Sequence, residues 1–110
     1  MRLRPADFLA HLPMPATERW PDGVRFIEAF ARDGLELELY APRGIDQQSP
    51  HWRDEIYFVV AGTATLDIDG VEHPCVVGDA LIVPAHVKHH FTRISDDFAA
   101  WAVFWGEQKL

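Results

Sequence analysis

Cysteine is nearly absent from this chain. Cys75 stands alone, so no disulfide can form within the chain, and a reducing, cytoplasmic setting is the expectation. Basic charge is also scarce: 10 lysines and arginines against 17 aspartates and glutamates leave a formal net charge of -7. That balance argues against a nucleic-acid partner, whose phosphates ask for a basic surface. No apolar run approaches the ~20 residues a membrane span requires, so no membrane partner is expected. The opening segment MRLRPADFLAHLPMP lacks a long apolar core and a small-residue cleavage site, and does not read as a secretion signal. Missing too are internal repeats, low-complexity tracts and linkers. There is no phosphate-binding glycine loop, dinucleotide fingerprint or serine-nucleophile elbow.

What is present is the language of strands and turns. With 110 residues the chain reads as one domain, 1–110, whose barrel core runs from about 24 to 105. Near the start, Phe8, Leu9 and Leu12 recur at helical spacing before Pro13 and Pro15, which predicts one short N-terminal helical segment. VRFIEAFA and LELELYA flank RDG and read as a hairpin. In the second of these runs Leu35, Leu37 and Leu39 alternate with Glu36, Glu38 and Tyr40, the pattern of a half-buried strand with the glutamates on a solvated face. EIYFVVAG is almost wholly apolar and predicts a central strand. TATLDIDG alternates again, and Asp69-Gly70 supplies a two-residue turn. VEHPCVV, ALIVPA, HHFTRI and FAAWAVFW complete eight to ten short strands. The expected class is all-β, a sandwich or barrel.

Chemistry concentrates in SPHWRDEIYFVVAG, residues 49–62. On an extended strand positions 51, 53 and 55 share a face, so His51 and Glu55 can both look into a barrel. A histidine and a carboxylate from one strand, joined by a histidine from another, make a two-histidine-one-carboxylate set with open coordination positions. Such a set suits iron(II) and also accepts zinc, manganese or nickel. The plainer alternative is that His51 and Glu55 form a surface ion pair. Asp54 is expected to point away or to brace the turn.

Two motifs resemble those of the cupin superfamily, small jelly-roll barrels that hold a metal ion. In the first, His51 fits the second histidine of a pair, Glu55 follows after three residues, and Gly62 follows after six more. In the second, GDALIVPAHVKHHF supplies Gly78, Pro84 and His89. The resemblance spans roughly residues 24–105. It implies an all-β, single-domain jelly-roll barrel whose divalent metal is held by His51, Glu55 and His89, with His90 turned away. The chain departs from the pattern at Ser49, where the other histidine of the pair would stand, at Gly44, at His86 in place of a glycine, and at Arg93 in place of an asparagine. Gln48 or Gln47 is then the candidate fourth ligand, with water the alternative.

FAAWAVFWG reads first as core and interface; the alternative makes Trp101 or Trp105, with Phe26, Phe30 and Tyr57, the candidate pocket for a small organic ligand or substrate, and Arg53 either joins it or is a surface arginine. His86 reads as a turn or rim residue, His73 and His11 as exposed, and Cys75 as a small core residue. The expected function is a small metal-dependent enzyme, dioxygenase-like or isomerase-like. The alternative is a non-catalytic binding or sensing barrel, possibly metal-free. Exposed sheet edges and the aromatic WAVFW run predict a homodimer.

Overall fold

The computed structural model describes residues 1–46 and 48–107. It contains one short helix, α1 (Pro5–Leu9), and eight strands: β1 (Phe26–Arg32), β2 (Leu35–Tyr40), β3 (Asp54–Ala61), β4 (Ala64–Ile68), β5 (Val71–Cys75), β6 (Ala80–Val83), β7 (His89–Thr92) and β8 (Ala99–Trp105). All pairings are antiparallel, in a five-stranded sheet ordered β1-β2-β8-β3-β6 and a three-stranded sheet ordered β5-β4-β7. This is the all-β class that the strand-and-turn pattern predicts, in the jelly-roll form that the resemblance implies. Among the described residues no helix is long and apolar enough to cross a membrane.

Turn chemistry sets the hairpins. Asp33-Gly34 and Asp69-Gly70 both occupy the left-handed region, which lets two residues reverse a twisted pair of strands. Pro74 lies in β5, an edge strand, where its missing N–H interrupts no second ladder. Gly62 turns β3 into β4 at φ +68, and a Cβ there would sit 2.7 Å from the Phe98 Cα. Only glycine allows the 95–98 loop to lie so close.

β3 is central, and its alternation is clean: Glu55, Tyr57 and Val59 are buried while Phe58 is exposed. The register carries this inward face across the sheet. Glu36 pairs with Phe104 and Phe104 with Glu55; Glu38 pairs with Ala102 and Ala102 with Tyr57; Tyr40 pairs with Ala100 and Ala100 with Val59. The opposite sheet contributes Leu66, His89 and Phe91 to the interior.

This register overturns the expected orientation of β2. Its leucine face is the outer one, where Leu39 packs with Ala41 and Ala99 beneath Phe8, Leu9 and Leu12. Its glutamate face lines the barrel interior. The cause is α1, which covers the outer surface so that leucines are buried there. Trp101 belongs to the same outer layer, edge-on to Phe8 at 5.8 Å between ring centroids. It is therefore not a pocket residue. Trp105 and Phe30 are also absent from the cavity wall; Phe30 pairs with Leu37, on the leucine side.

Candidate metal centre and cavity

His51 does not lie on a strand. It lies three residues before β3, just ahead of a bend at residues 52–53, and its carbonyl accepts the His86 N–H at 2.7 Å. Asp54 opens β3 and accepts the Ala85 N–H at 2.9 Å. Two bonds thus pin the turn after β6 to the approach of β3, and Asp54 braces a turn as expected. His86 takes φ 68 in that turn and is exposed, with its ring 6.2 Å from that of Trp52.

Glu55 comes from β3 and His89 from the start of β7 in the facing sheet. Both are buried, at 1% and 3% exposure, whereas His90 points out. The His51 Nε2 lies 3.6 Å from Glu55 Oε1, and His89 Nε2 lies 3.3 Å from the same oxygen. His51, Glu55 and His89 each turn a ligand atom to one point, with these atoms within 4.8 Å of one another. The His51 ring is held edge-on to Phe104 at 4.8 Å.

The hydrogen bonds decide which atoms carry lone pairs. His89 Nδ1 is 2.9 Å from the Val87 carbonyl. A carbonyl only accepts, so Nδ1 carries a proton, and whenever the ring is neutral it is Nε2 that faces Glu55 bare. Glu55 Oε1 and His89 Nε2 are buried and lack a hydrogen-bond partner among the described residues. Two acceptors in a dry interior repel each other unless a proton or a cation lies between them.

Electrostatics divides the three groups. Burial, aided by His89, pulls the His51 imidazole down to about 4, so it is neutral near pH 7. Burial raises the Glu55 carboxyl, with His89 and Tyr57 opposing. For His89 burial acts downward but is outweighed by Glu55 and the Val87 carbonyl, and its pKa is raised. Three donors, two of them orphaned and one a neutral imidazole, fit a divalent cation.

A second layer holds the open side. Tyr57 donates to Gln48 Oε1 at 2.8 Å, and the same oxygen lies 3.2 Å from His51 Nε2, where it accepts when Nε2 is the protonated nitrogen; binding a cation there would need the proton on Nδ1 instead. The Gln48 amide nitrogen donates to Asp46 Oδ2 at 2.7 Å, which fixes the amide so that its oxygen faces the triad. Asp46 also receives the Tyr40 hydroxyl, the Gln48 N–H and the Phe91 N–H. This aspartate organises the segment, and nothing in the spacing of the sequence pointed to it. Gln47 lies outside the described residues.

Beside the triad opens a cavity of about 330 Å³, walled by Phe26, Glu36, Glu38, Arg53, Tyr57 and Phe104 and edged by Ser49. Of the expected pocket residues Phe26, Arg53 and Tyr57 are here. Arg53 pairs with Glu36 at 3.2 Å and lies over the Phe104 ring at 5.4 Å. Glu38 has no such ion pair among the described residues. Burial first, then Glu36, Glu55 and Glu28, push its carboxyl up to about 7 against the pull of Arg53. Ala102, between Glu38 and Tyr57, leaves the space between them open.

The remaining residues fall where the sequence put them. Cys75 is buried, donates to the Ala64 carbonyl at 3.3 Å, and has its thiol raised by burial. His11 and His73 are exposed.

Comparison with known proteins agrees with this fold. A cupin domain family profile matches residues 36–105. The uncharacterized protein SCO3923 of Streptomyces coelicolor is 37% identical over 90 residues, which cover 79% of this chain and 85% of that protein. Among solved structures, a Cupin 2 conserved barrel domain protein from Salinispora arenicola aligns with a TM-score of 0.63 and 24% identity, over 74% of each chain. KdgF from Halomonas sp. aligns with a TM-score of 0.65 and 18% identity, over 74% of this chain and 77% of its own. At such identities the structural likeness speaks to the fold.

Proposed function

Because the chain belongs to the cupin domain family, we propose that it is a small metal-dependent enzyme acting on a small organic molecule. The observation that carries this reading is the orphaned pair, Glu55 Oε1 and His89 Nε2, buried 3.3 Å apart with the neutral His51 Nε2 beside them. His51, Glu55 and His89 are the proposed ligands, with Gln48 Oε1 or water as the fourth. A divalent cation, iron, manganese, nickel or zinc, supplies Lewis-acid polarisation of a substrate oxygen or the redox capacity for oxygen-dependent chemistry. The chain's own residues do the rest. Phe26 and Phe104 give an apolar wall, Arg53 and Glu36 a charged one, and Tyr57 holds Gln48 in place. Glu38 offers a carboxyl that gains or loses a proton near neutral pH. Oxidation and isomerisation both use such parts.

The test is metal content and metal-dependent stability of untagged protein. About one divalent ion per chain is expected. At a hundredfold excess over Kd, added metal stabilises by roughly 3 kcal/mol. Alanine at position 51, 55 or 89 should abolish most of that gain, while His11→Ala and His73→Ala should keep it. Protein free of metal whose three variants respond like the parent would refute the reading. A proton bridging Glu55 and His89, favoured by their raised pKa values, would then support a metal-free binding or sensing barrel.

A homodimer and a cytoplasmic setting belong to the same proposal. On the outer sheet face Phe58 and Ile82 are 42% and 61% exposed, and Ile56 pairs with Ile82. These form an apolar patch suited to a second copy. Light scattering at micromolar concentration should give twice the chain mass; a monomer would count against it.

A further inference from the structure

A second cleft, of about 410 Å³, lies on the other side of Trp20, and nothing in the metal reading uses it. Its wall is Trp20, Pro21, Asp22, Gly23, Arg25, Arg43, Gly44 and Ile45. Trp20 is common to both cavities, set edge-on to Phe26 at 5.8 Å and to Tyr40 at 6.3 Å between ring centroids.

Two arginines converge there, and both are held by backbone carbonyls. Arg25 Nε donates to Ala41 at 2.8 Å. Arg43 NH1 donates to Pro42 at 2.8 Å and to Phe98 at 2.7 Å. These bonds fix the guanidinium planes and leave further N–H donors, since each fork has five. Neither guanidinium forms an ion pair among the described residues, although acidic residues outnumber basic ones in the chain. Asp22 is the single acid in the wall. Two like charges brought to one half-buried cleft repel, and an anion between them would relieve both.

We propose that the Arg25–Arg43 cleft binds the oxyanion, carboxylate or phosphate, of a small organic molecule. Planar forks match both groups bidentately. The cleft volume exceeds what a lone inorganic anion fills, and the Trp20 indole offers an apolar surface to the rest of the ligand. Burial and the neighbouring Arg43 both lower the pKa of Arg25, whereas Arg43, lowered by burial, is drawn back by Asp97 and Asp96, so Arg25 is the guanidinium that an added anion would relieve most. The site is independent of the triad, so it stands or falls separately from metal binding.

The test uses inorganic phosphate and glutarate as probes, with sodium chloride holding ionic strength constant. Thermal unfolding and the assigned Trp20 indole N–H resonance are followed together, with and without added zinc. The expected result is a saturable rise in Tm and a saturable Trp20 shift with at least one probe, unchanged by zinc. A response to glutarate alone assigns a carboxylate ligand, and one to phosphate alone a phosphorylated one. Arg25→Gln should raise the half-saturating concentration at least tenfold. Arg32→Gln, at an arginine paired only with Asp33, should leave it unchanged. Because Arg43 also ties residues 42 and 98, Arg43→Lys is the second variant; it keeps the charge but loses the fork, and should weaken binding severalfold. No saturable response beyond that to chloride, or equal responses in Arg25→Gln and Arg32→Gln, would overturn the proposal and leave the two arginines as strand ties.

Discussion

Replacing Glu38 by glutamine should make the protein more stable at pH 8 and scarcely change it at pH 4.5. Glu38 lies on the inward face of β2, its carboxyl raised from 4.5 to about 7 by burial and by Glu36, Glu55 and Glu28. A raised carboxyl pKa means that the folded state holds the proton more tightly than the unfolded one. Its favourable contribution is complete below the unfolded pKa and is lost as pH rises through about 7. At about 1.4 kcal/mol per pH unit, ionising Glu38 in the folded barrel costs up to about 3 kcal/mol relative to the unfolded chain. Glutamine has the same shape and never ionises, so the variant escapes that loss. Urea unfolding of metal-free protein at both pH values reads the difference directly. Near pH 4.5 the two proteins should agree within roughly 0.5 kcal/mol, because folded Glu38 is almost wholly protonated and half-ionisation of the unfolded chain is worth only about 0.4 kcal/mol. At pH 8 the glutamine variant should lead by about 2–3 kcal/mol, or some 10–20 °C in Tm for a domain of this size. A difference independent of pH would show that packing, and not ionisation, sets the effect. A less stable variant at pH 8 would mean that ionised Glu38 has a cationic partner in solution.

Other substitutions probe separate parts of the fold. Leu39→Ala removes a fully buried side chain beneath α1 and should cost about 2–4 kcal/mol by chemical denaturation, whereas Leu35→Ala, at 40% exposure, should cost under about 1 kcal/mol. Gly62→Ala forces a Cβ to 2.7 Å from the Phe98 backbone at φ +68; a loss of at least about 2 kcal/mol is expected in thermal unfolding, and a neutral outcome would show that the 95–98 loop yields. Asp46→Ala strips the partner from Tyr40, Gln48 and Phe91 and should cost about 2–4 kcal/mol. It should also weaken metal binding by freeing Gln48, read as a raised metal concentration at half-saturation.

The fold is legible because most strands carry their own punctuation. Asp33-Gly34 and Asp69-Gly70 name their hairpins, and the apolar run of β3 identifies a strand with neighbours on both sides. What alternation does not reveal is which face is inside. In β2 the period is right and the assignment inverted, because a barrel with a polar cavity and a helix outside puts leucines outward and glutamates inward. β8 repeats the lesson. Its aromatic positions 101 and 105 face away, while Ala100 and Ala102 face in with Phe104. A cavity needs small residues on part of its floor, so the richest aromatic run in the chain supplies only one ring to the wall.

At the site, histidine and carboxylate spacing finds His51, Glu55 and His89 because these three match the two motifs, whereas Glu36 and Glu38 sit on a strand whose alternation hides that they also face inward. The strand-parity reason for His51 is incomplete: residues 52–53 bend, and the ring reaches the triad because the His86 N–H and Phe104 hold it there. Two departures from the cupin motifs have a backbone meaning. His86 at φ 68 and Arg93 at φ 50 occupy left-handed positions that glycine and asparagine enter more easily, so the motif residues mark conformations that this chain reaches with other side chains. Ser49 removes an imidazole, and the structure answers with an oxygen from the neighbouring residue. Gln48 is aimed by Asp46, whose own partners lie 6 positions back at Tyr40 and 45 ahead at Phe91. Contacts so distant in sequence leave no local pattern, which is why an aspartate in a loop looks unremarkable until the sheets close around it. As the proposed fourth ligand, Gln48 is placed by tertiary hydrogen bonding, and it should be more easily lost by mutation than the three proposed ligands that the motifs carry.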